Sequence, residues 1–180
     1  CKQACHYCDF HFSTQMKKKD AMVDALVREM ELRKNELGDE VVETIYFGGG
    51  TPSVLELSEL ERLIQAVYDH YKVMEGPEIT LEANPDDLSK DRIIQLSKSP
   101  VNRLSIGIQS FFEEDLTLMN RAHNAQEAEN CIEEAVKHFD NITIDLIYGI
   151  AGMGHDRWKA NIQKALDFGL PLISSYALSR

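Results

Sequence analysis

Three of the four cysteines in this 180-residue chain fall within its first eight residues, as Cys1-x3-Cys5-x2-Cys8. Thiols on consecutive turns of one short segment cannot all be core residues. A disulfide framework favours an even count in a small secreted domain. The economical reading is three thiolates converging on one centre. They could ligate an iron–sulfur cluster, or zinc if a fourth ligand joins, and His11 follows Cys8 at C-x2-H spacing. A purely structural or electron-transfer cubane takes four cysteines. Three leave one iron open, by the logic that keeps a position open in catalytic zinc sites. The remaining Cys131 falls between Ala128 and Ala135 in a helical pattern and reads as a small core residue.

A glycine run, Gly48-Gly49-Gly50-Thr51-Pro52-Ser53, follows a β-rich stretch that ends at Phe47. Such a run lets backbone approach a ligand closely with its N–H groups free. No Gly-Lys-Ser/Thr follows, and the G-x-G-x-x-G spacing is absent, so neither common nucleotide-phosphate loop applies. By itself the run reads equally as a tight turn. Later strands also end in polar or small residues: Glu82-Ala83-Asn84-Pro85-Asp86, Gln109-Ser110, Asp145 within the fourth, Tyr176 and Ala177 in the last. Parallel α/β folds bind ligands at the carboxyl ends of their strands. One Glu, one Gln and one Asp on three such strands would ring a polar small molecule. Taken singly, each reads as a satisfied loop group, and Arg121 reads as a solvated surface charge.

These residues need elements to hold them. Short apolar runs at Val41–Phe47, Glu78–Ala83, Val101–Ile108, Asn141–Tyr148 and Pro171–Leu178 predict buried parallel strands. Helical spacing appears over Asp20–Leu37, where Met22, Val23, Leu26, Val27 and Met30 form a stripe, and again around Leu60, Leu63, Ile64 and Val67. Ser58 with Glu61, and Asn124 with Glu127, predict capping boxes. A last helix is expected from Asp156 to Phe168, stopped by Gly169 and Pro171. Alternating strands and helices predict a parallel sheet, barrel-like or doubly wound. The net charge of −11, from 19 basic against 30 acidic residues, disfavours sequence-independent nucleic-acid binding. No apolar stretch is long enough to span a membrane, and no signal-peptide pattern is present. The chain starts on Cys1 without Met, so both ends are read as cuts in a longer protein.

Taken together, the cysteine motif and Gly48-Gly49-Gly50-Thr51-Pro52 resemble the radical S-adenosylmethionine (SAM) superfamily. Glu82-Ala83-Asn84-Pro85, Ser105-Ile106-Gly107-Ile108-Gln109-Ser110, Arg121 and Asp145-Leu146-Ile147-Tyr148-Gly149 narrow the resemblance. It is to the oxygen-independent coproporphyrinogen III oxidase group, which includes the HemW-type heme chaperones, and it covers essentially the whole chain in order. Two departures bear on the branch. The oxidases resemble C-x3-C-x2-C-x-C, and position ten here is Phe10. The Cys8-Asp9-Phe10 ending, Asn84-Pro85-Asp86 and Ser175-Tyr176-Ala177-Leu178 are more similar to the chaperone branch. The loop Ile150-Ala151-Gly152-Met153-Gly154-His155 stands where the family often has Gly-Leu-Pro then Gln-Thr.

The resemblance implies an α/β fold, a partial (β/α)6 TIM-like barrel, with residues 1–180 forming a radical SAM core whose first strand is missing from this chain. It implies that Cys1, Cys5 and Cys8 hold a [4Fe–4S] cluster. SAM would chelate the open iron, with Tyr7 by the adenine and Gly49, Gly50, Thr51 and Glu82 in contact with it. Gln109, Arg121, Asp145 and Ala177 match further SAM contacts of the oxidases. The implied protein is cytoplasmic, works on heme or a porphyrin, possesses no membrane span and takes electrons from a donor such as flavodoxin or ferredoxin. Heme chaperone is the favoured role. The alternatives are a coproporphyrinogen decarboxylase using a 5′-deoxyadenosyl radical, and a zinc-stabilised binding domain.

Overall fold

The computed structural model describes residues 1–178. Five strands, β1 (Val42–Phe47), β2 (Val73–Ala83), β3 (Arg103–Gln109), β4 (Ile142–Tyr148) and β5 (Leu172–Ala177), pair in chain order. Every pairing is parallel, and the sheet curls into a half-barrel. Parallel neighbours need a crossover, and helices supply it: α2 (Leu57–His70), α3 (Lys90–Leu96), α4 (Glu113–Leu118), α5 (Ala125–Ala135) and α6 (His155–Asp167), while α1 (Lys19–Leu32) precedes β1. The alternating α/β architecture and the barrel-like option both hold.

Strand side chains alternate between two faces, and here the faces differ sharply. The outer face carries Ile79, Leu81, Leu104, Ile106, Ile142, Ile144 and Leu146, all buried, packed against Leu60 and Ile64 of α2, Ile93 of α3 and Ile132 of α5. Cys131 belongs to this layer, as its spacing predicts, and burial pushes its thiol up to about 12. The inner face carries Thr80, Glu82, Arg103, Ser105, Gln109, Thr143 and Asp145, held in lateral register by pairings such as Thr80 with Arg103 and Ser105 with Thr143. Arg103 donates to Thr80 Oγ1 (3.2 Å) and to Thr143 Oγ1 (2.6 Å), bracing the amino ends of β3 and β4 against β2.

Several boundaries differ from the pattern-based reading. β2 begins at Val73, ahead of Glu78, because Gly76 takes a φ of +66° and lets the strand jog before it rejoins β1. Helix α1 stops at Leu32, short of Leu37, and turns around Asn35 and Gly38, the latter at φ +58°, replace its last expected turn. The α1 stripe is also poorly covered. Val23 is buried, but Met22 and Leu26 face an open groove of about 1110 Å³ beside Ile45 and Phe47 of β1. The α2 cap lies two residues earlier than Ser58 and Glu61: the Glu59 carboxylate accepts from Glu56 N–H at 2.7 Å. The Asn124–Glu127 box stands as predicted, with reciprocal bonds of 2.8 and 2.9 Å. Short helices α3 and α4 carry no readable helical periodicity because six or seven residues give fewer than two turns.

Candidate functional site

The carboxyl ends of the strands open into a cavity of about 590 Å³. Its wall includes Tyr7, Gly49, Gly50, Thr51, Glu82, Gln109, Arg121, Asp145 and Ala177, together with Cys1 and Cys8. Cys5, the third thiol of the motif, lies 3.6 Å from Arg121 Nη1. All three are free thiols and half-buried. The structure thus brings every candidate SAM contact, with Cys1 and Cys8, to one cavity wall and holds Cys5 against Arg121, while His11 lies outside that wall.

The cysteine loop has little secondary structure and is held from outside. Asn120 Nδ2 donates to Ala4 O at 2.8 Å, His6 N donates to Met119 O at 3.0 Å, and Cys8 N donates to Cys5 O at 3.2 Å in the loop's own turn. Asn120 has a φ of +55°, a conformation Asn tolerates better than most residues. Arg121 is the hub. Its guanidinium donates to Tyr7 OH (3.0 Å), Asn84 Oδ1 (2.7 Å) and Gly107 O (2.7 Å) besides Cys5. Its reading as a solvated surface charge is therefore corrected: the fork geometry of Arg ties the cysteine loop to the ends of β2 and β3. Burial pushes the Tyr7 phenol up to about 12, against the pull of the Arg121 charge.

The glycine loop meets the sheet through Glu82. Its carboxylate accepts from Tyr46 OH at 2.7 Å and from Gly49 N at 3.1 Å. Gly49 has a φ of +95°, which favours glycine, and a β-carbon on Gly48 would stand 2.5 Å from the Tyr46 ring, so a larger residue there displaces that ring. Burial, and then the Glu82 carboxylate, push the Tyr46 phenol up to about 12. Gln109 has a φ of +69°, beside an irregularity in the β3–β4 register, and this strained turn aims its side chain into the cavity. Asp145 faces Glu82 across the floor. Burial, followed by the Glu82 charge, raises its carboxyl to about 6, with Arg121 and Arg103 working the other way.

Behind the wall, His123 is buried with Nε2 on Ile108 O at 3.1 Å. Burial and the neighbouring Arg121 charge lower its imidazole to about 4, so it is neutral at physiological pH. The Ile150–His155 loop lies outside this wall; Ile150 and Met153 pack instead with Leu116, Met119 and Ile147. Sequence reading missed Ser105 and Gly107 as cavity groups and Tyr46 as a partner of Glu82. The available signal was the apolar–polar alternation of Glu78–Ala83 in β2 and of β3, which marks a two-faced sheet.

The donor set fits a [4Fe–4S] cluster: three soft thiolates on one loop at the mouth of a polar cavity, with a guanidinium beside one sulfur. Among the described residues no three His, Cys, Asp or Glu side chains close on a single-ion position. A cubane does not ask for that, because each thiolate meets a different iron. Among the described residues no helix is long and apolar enough to cross a membrane.

Comparison with known proteins follows the same lines. The family model described as the radical SAM superfamily matches residues 1–165. The chain is 38% identical over 180 residues to the heme chaperone HemW of Lactococcus lactis, covering 99% of this chain and 46% of that protein. It is 32% identical over 183 residues to the HemW of Escherichia coli, covering 99% and 48%. Among solved structures, the coproporphyrinogen III oxidase HemN of Escherichia coli, a radical SAM enzyme, superposes with a TM-score of 0.89 at 25% identity, over 99% of this chain and 42% of that one. The chain spans about half the length of the curated relatives it matches.

Proposed function

The chain belongs to the radical SAM superfamily, and on that premise we propose that it forms the cluster- and SAM-binding core of a heme chaperone of the HemW kind. Membership implies SAM and a [4Fe–4S] cluster. In this reading residues 1–180 are the core domain, and Cys1, Cys5 and Cys8 are the cluster ligands. One observation carries the assignment of the site: the cysteine loop, the glycine loop and the ends of β2 to β5 enclose one cavity with charged and polar side chains on its wall, and Arg121 is bonded to three of these parts.

When bound, the cluster and SAM supply one-electron reductive cleavage of a carbon–sulfur bond, chemistry that belongs to the cofactors. The protein's part is binding and orientation. Gly49, Gly50 and Thr51 let a ligand approach the backbone closely. Glu82 and Asp145 offer carboxylate acceptors to ligand hydroxyl or ammonium groups, and Gln109 an amide. Tyr7 presents an aromatic ring beside the second and third cysteines, and Ala177 leaves room at the rim. Arg121 keeps the Cys5 side of the loop fixed while the ligand changes.

The chaperone role rests on the HemW relatives, and on Phe10 standing where the oxidases resemble a fourth cysteine. The decarboxylase reading draws its support from the HemN superposition. In either case the ligand is heme or a porphyrin, the compartment is the cytoplasm, and a donor of the flavodoxin or ferredoxin kind reduces the cluster. Anaerobic reconstitution followed by iron and sulfide analysis tests the cofactor: wild type is expected to bind a cluster and Cys5→Ala to lose it while staying folded. Zinc uptake in place of iron and sulfide overturns the cluster. Heme transfer to an acceptor supports the chaperone, and SAM-dependent decarboxylation of coproporphyrinogen overturns it.

A further inference from the structure

Asp87 makes more bonds than a loop carboxylate needs. It closes the short 3₁₀ turn Pro85–Asp87 after β2, and its side chain is 2% exposed. The carboxylate accepts from Ser53 Oγ at 2.6 Å and pairs with the Lys2 ammonium, which also stands 3.5 Å from Asp86. The Ser53 hydroxyl, itself buried, is in turn approached by Asn84 N at 3.4 Å. Ser53 sits just past the glycine run and Lys2 directly follows Cys1. One buried carboxylate therefore joins the cysteine loop, the glycine loop and the turn after β2.

The two ends of the cysteine loop are held by separate devices. Asn120, Met119 and Arg121 secure the Gln3–Tyr7 side, with Gln3 Nε2 donating to Asn120 Oδ1 at 3.0 Å. On the Cys1 side the contacts are the Lys2 pair and a bond from Cys1 N to Ser13 O at 3.1 Å, and Cys1 shares the cavity wall with Gly50 and Thr51. Burying a carboxylate is costly unless it is paired, and fixing a lysine costs side-chain entropy. A bond that served only the turn after β2 would not draw in a lysine from the cysteine loop.

We infer that Asp87, acting through Lys2 and Ser53, is the positioning residue that sets Cys1 against the Gly50–Thr51 wall. The geometric part stands on the protein without cofactors; its consequence for SAM rests on the cluster reading above. The groups that orient a metal ligand typically matter by 10- to 100-fold in affinity, and the loss of SAM affinity expected here is of about that order.

The test compares wild type, Asp87→Asn, Lys2→Met and Lys2→Arg. In the cofactor-free protein, alkylation of each thiol is followed by mass spectrometry, with the rate per thiolate taken from its pH dependence. Asp87→Asn and Lys2→Met are expected to speed Cys1 about tenfold, the factor carried by one charge-assisted hydrogen bond. Cys5 stays near its wild-type rate, and Lys2→Arg, which keeps the pair, leaves both unchanged. Cys1 and Cys5 accelerating together, or neither accelerating, overturns the inference. On reconstituted protein, Asp87→Asn is expected to weaken SAM binding with the cluster present, and unchanged SAM affinity removes the functional consequence. A wild type that takes up no iron and sulfide removes the cluster reading instead, and the thiol rates then decide the anchor alone.

Discussion

Replacing Asp145 with asparagine is expected to make the protein more stable in alkaline solution and poorer at binding its ligand. The Asp145 carboxyl is pushed from an ordinary 3.8 up to about 6, first by burial and then by Glu82. A shift of one pKa unit is worth about 1.4 kcal/mol, so keeping this group ionised costs the fold on the order of 3 kcal/mol, or about 2 after allowing for its partial exposure to solvent. The sign follows from the direction. The folded state holds the proton more tightly than the unfolded one, so stability rises as pH falls through about 6 and levels off below 3.8. An amide carries no such cost. Asp145→Asn therefore gains about 2 kcal/mol at about pH 8, roughly 4–8 °C in melting temperature for a chain of this size. The gap closes as the pH drops through about 6 and is gone below about 4. Paired urea melts across that range measure it, and a carboxyl NMR titration of Asp145 reads the cause. A variant less stable than wild type at alkaline pH, or a gap that ignores pH, refutes the argument. The expected loss of SAM affinity alongside higher stability is the trade that functional groups show.

Three further substitutions probe the frame. Gly48→Ala places a β-carbon 2.5 Å from the exposed Tyr46 ring; the ring swings off Glu82, and the Tyr46 phenol falls from about 12 toward its usual value, as tyrosine NMR titration would record. An unmoved Tyr46 titration would show that the contact is not binding on the ring. On the opposite face, Ile106→Ala opens a hole among fully buried side chains and is expected to cost about 2–5 kcal/mol by denaturant unfolding, whereas Ser105→Ala, one residue earlier and facing the cavity, is expected to cost far less.

The strands and most helices were legible because their chemistry is local. The run Ile142–Tyr148 is β-rich and bounded by Asn141 and Gly149, and Asn124 with Glu127 caps α5 wherever that helix packs. What stayed hidden depends on distance. Nothing near Arg121 in sequence announces that Tyr7, Asn84 and Gly107 all lie within its reach. A charge beside a helix cap is usually solvated, so the local reading put it outside. Lys2 and Asp87 were invisible as a pair for the same reason. Asp86 and Asp87 look alike in sequence, and only the fold turns Asp87 inward to 2% exposure while Asp86 keeps 18%. The glycine run and the cysteine triplet were readable as chemistry, yet their meeting at one cavity is a property of the sheet that carries them.

The two faces of that sheet explain why a ligand site is the economical reading of the whole. A closed (β/α)8 barrel fills its interior with layers of Val, Ile and Leu. Here the outer face took that composition, and the helices cover it. The inner face holds Thr80, Glu82, Arg103, Ser105, Gln109, Thr143 and Asp145. Such a surface cannot pack into a dry core, because each carboxylate and guanidinium would need a partner or a shifted pKa. Thr80, Arg103 and Thr143 satisfy one another near the amino ends. Toward the carboxyl ends the match is incomplete: Asp145 is left with a raised pKa, and Gln109 is held in a strained backbone conformation. Both features destabilise the unliganded fold, and both lie where the cysteine and glycine loops converge. A polar molecule bound there would relieve the first by donating to the carboxylates and would use the second as a preset contact.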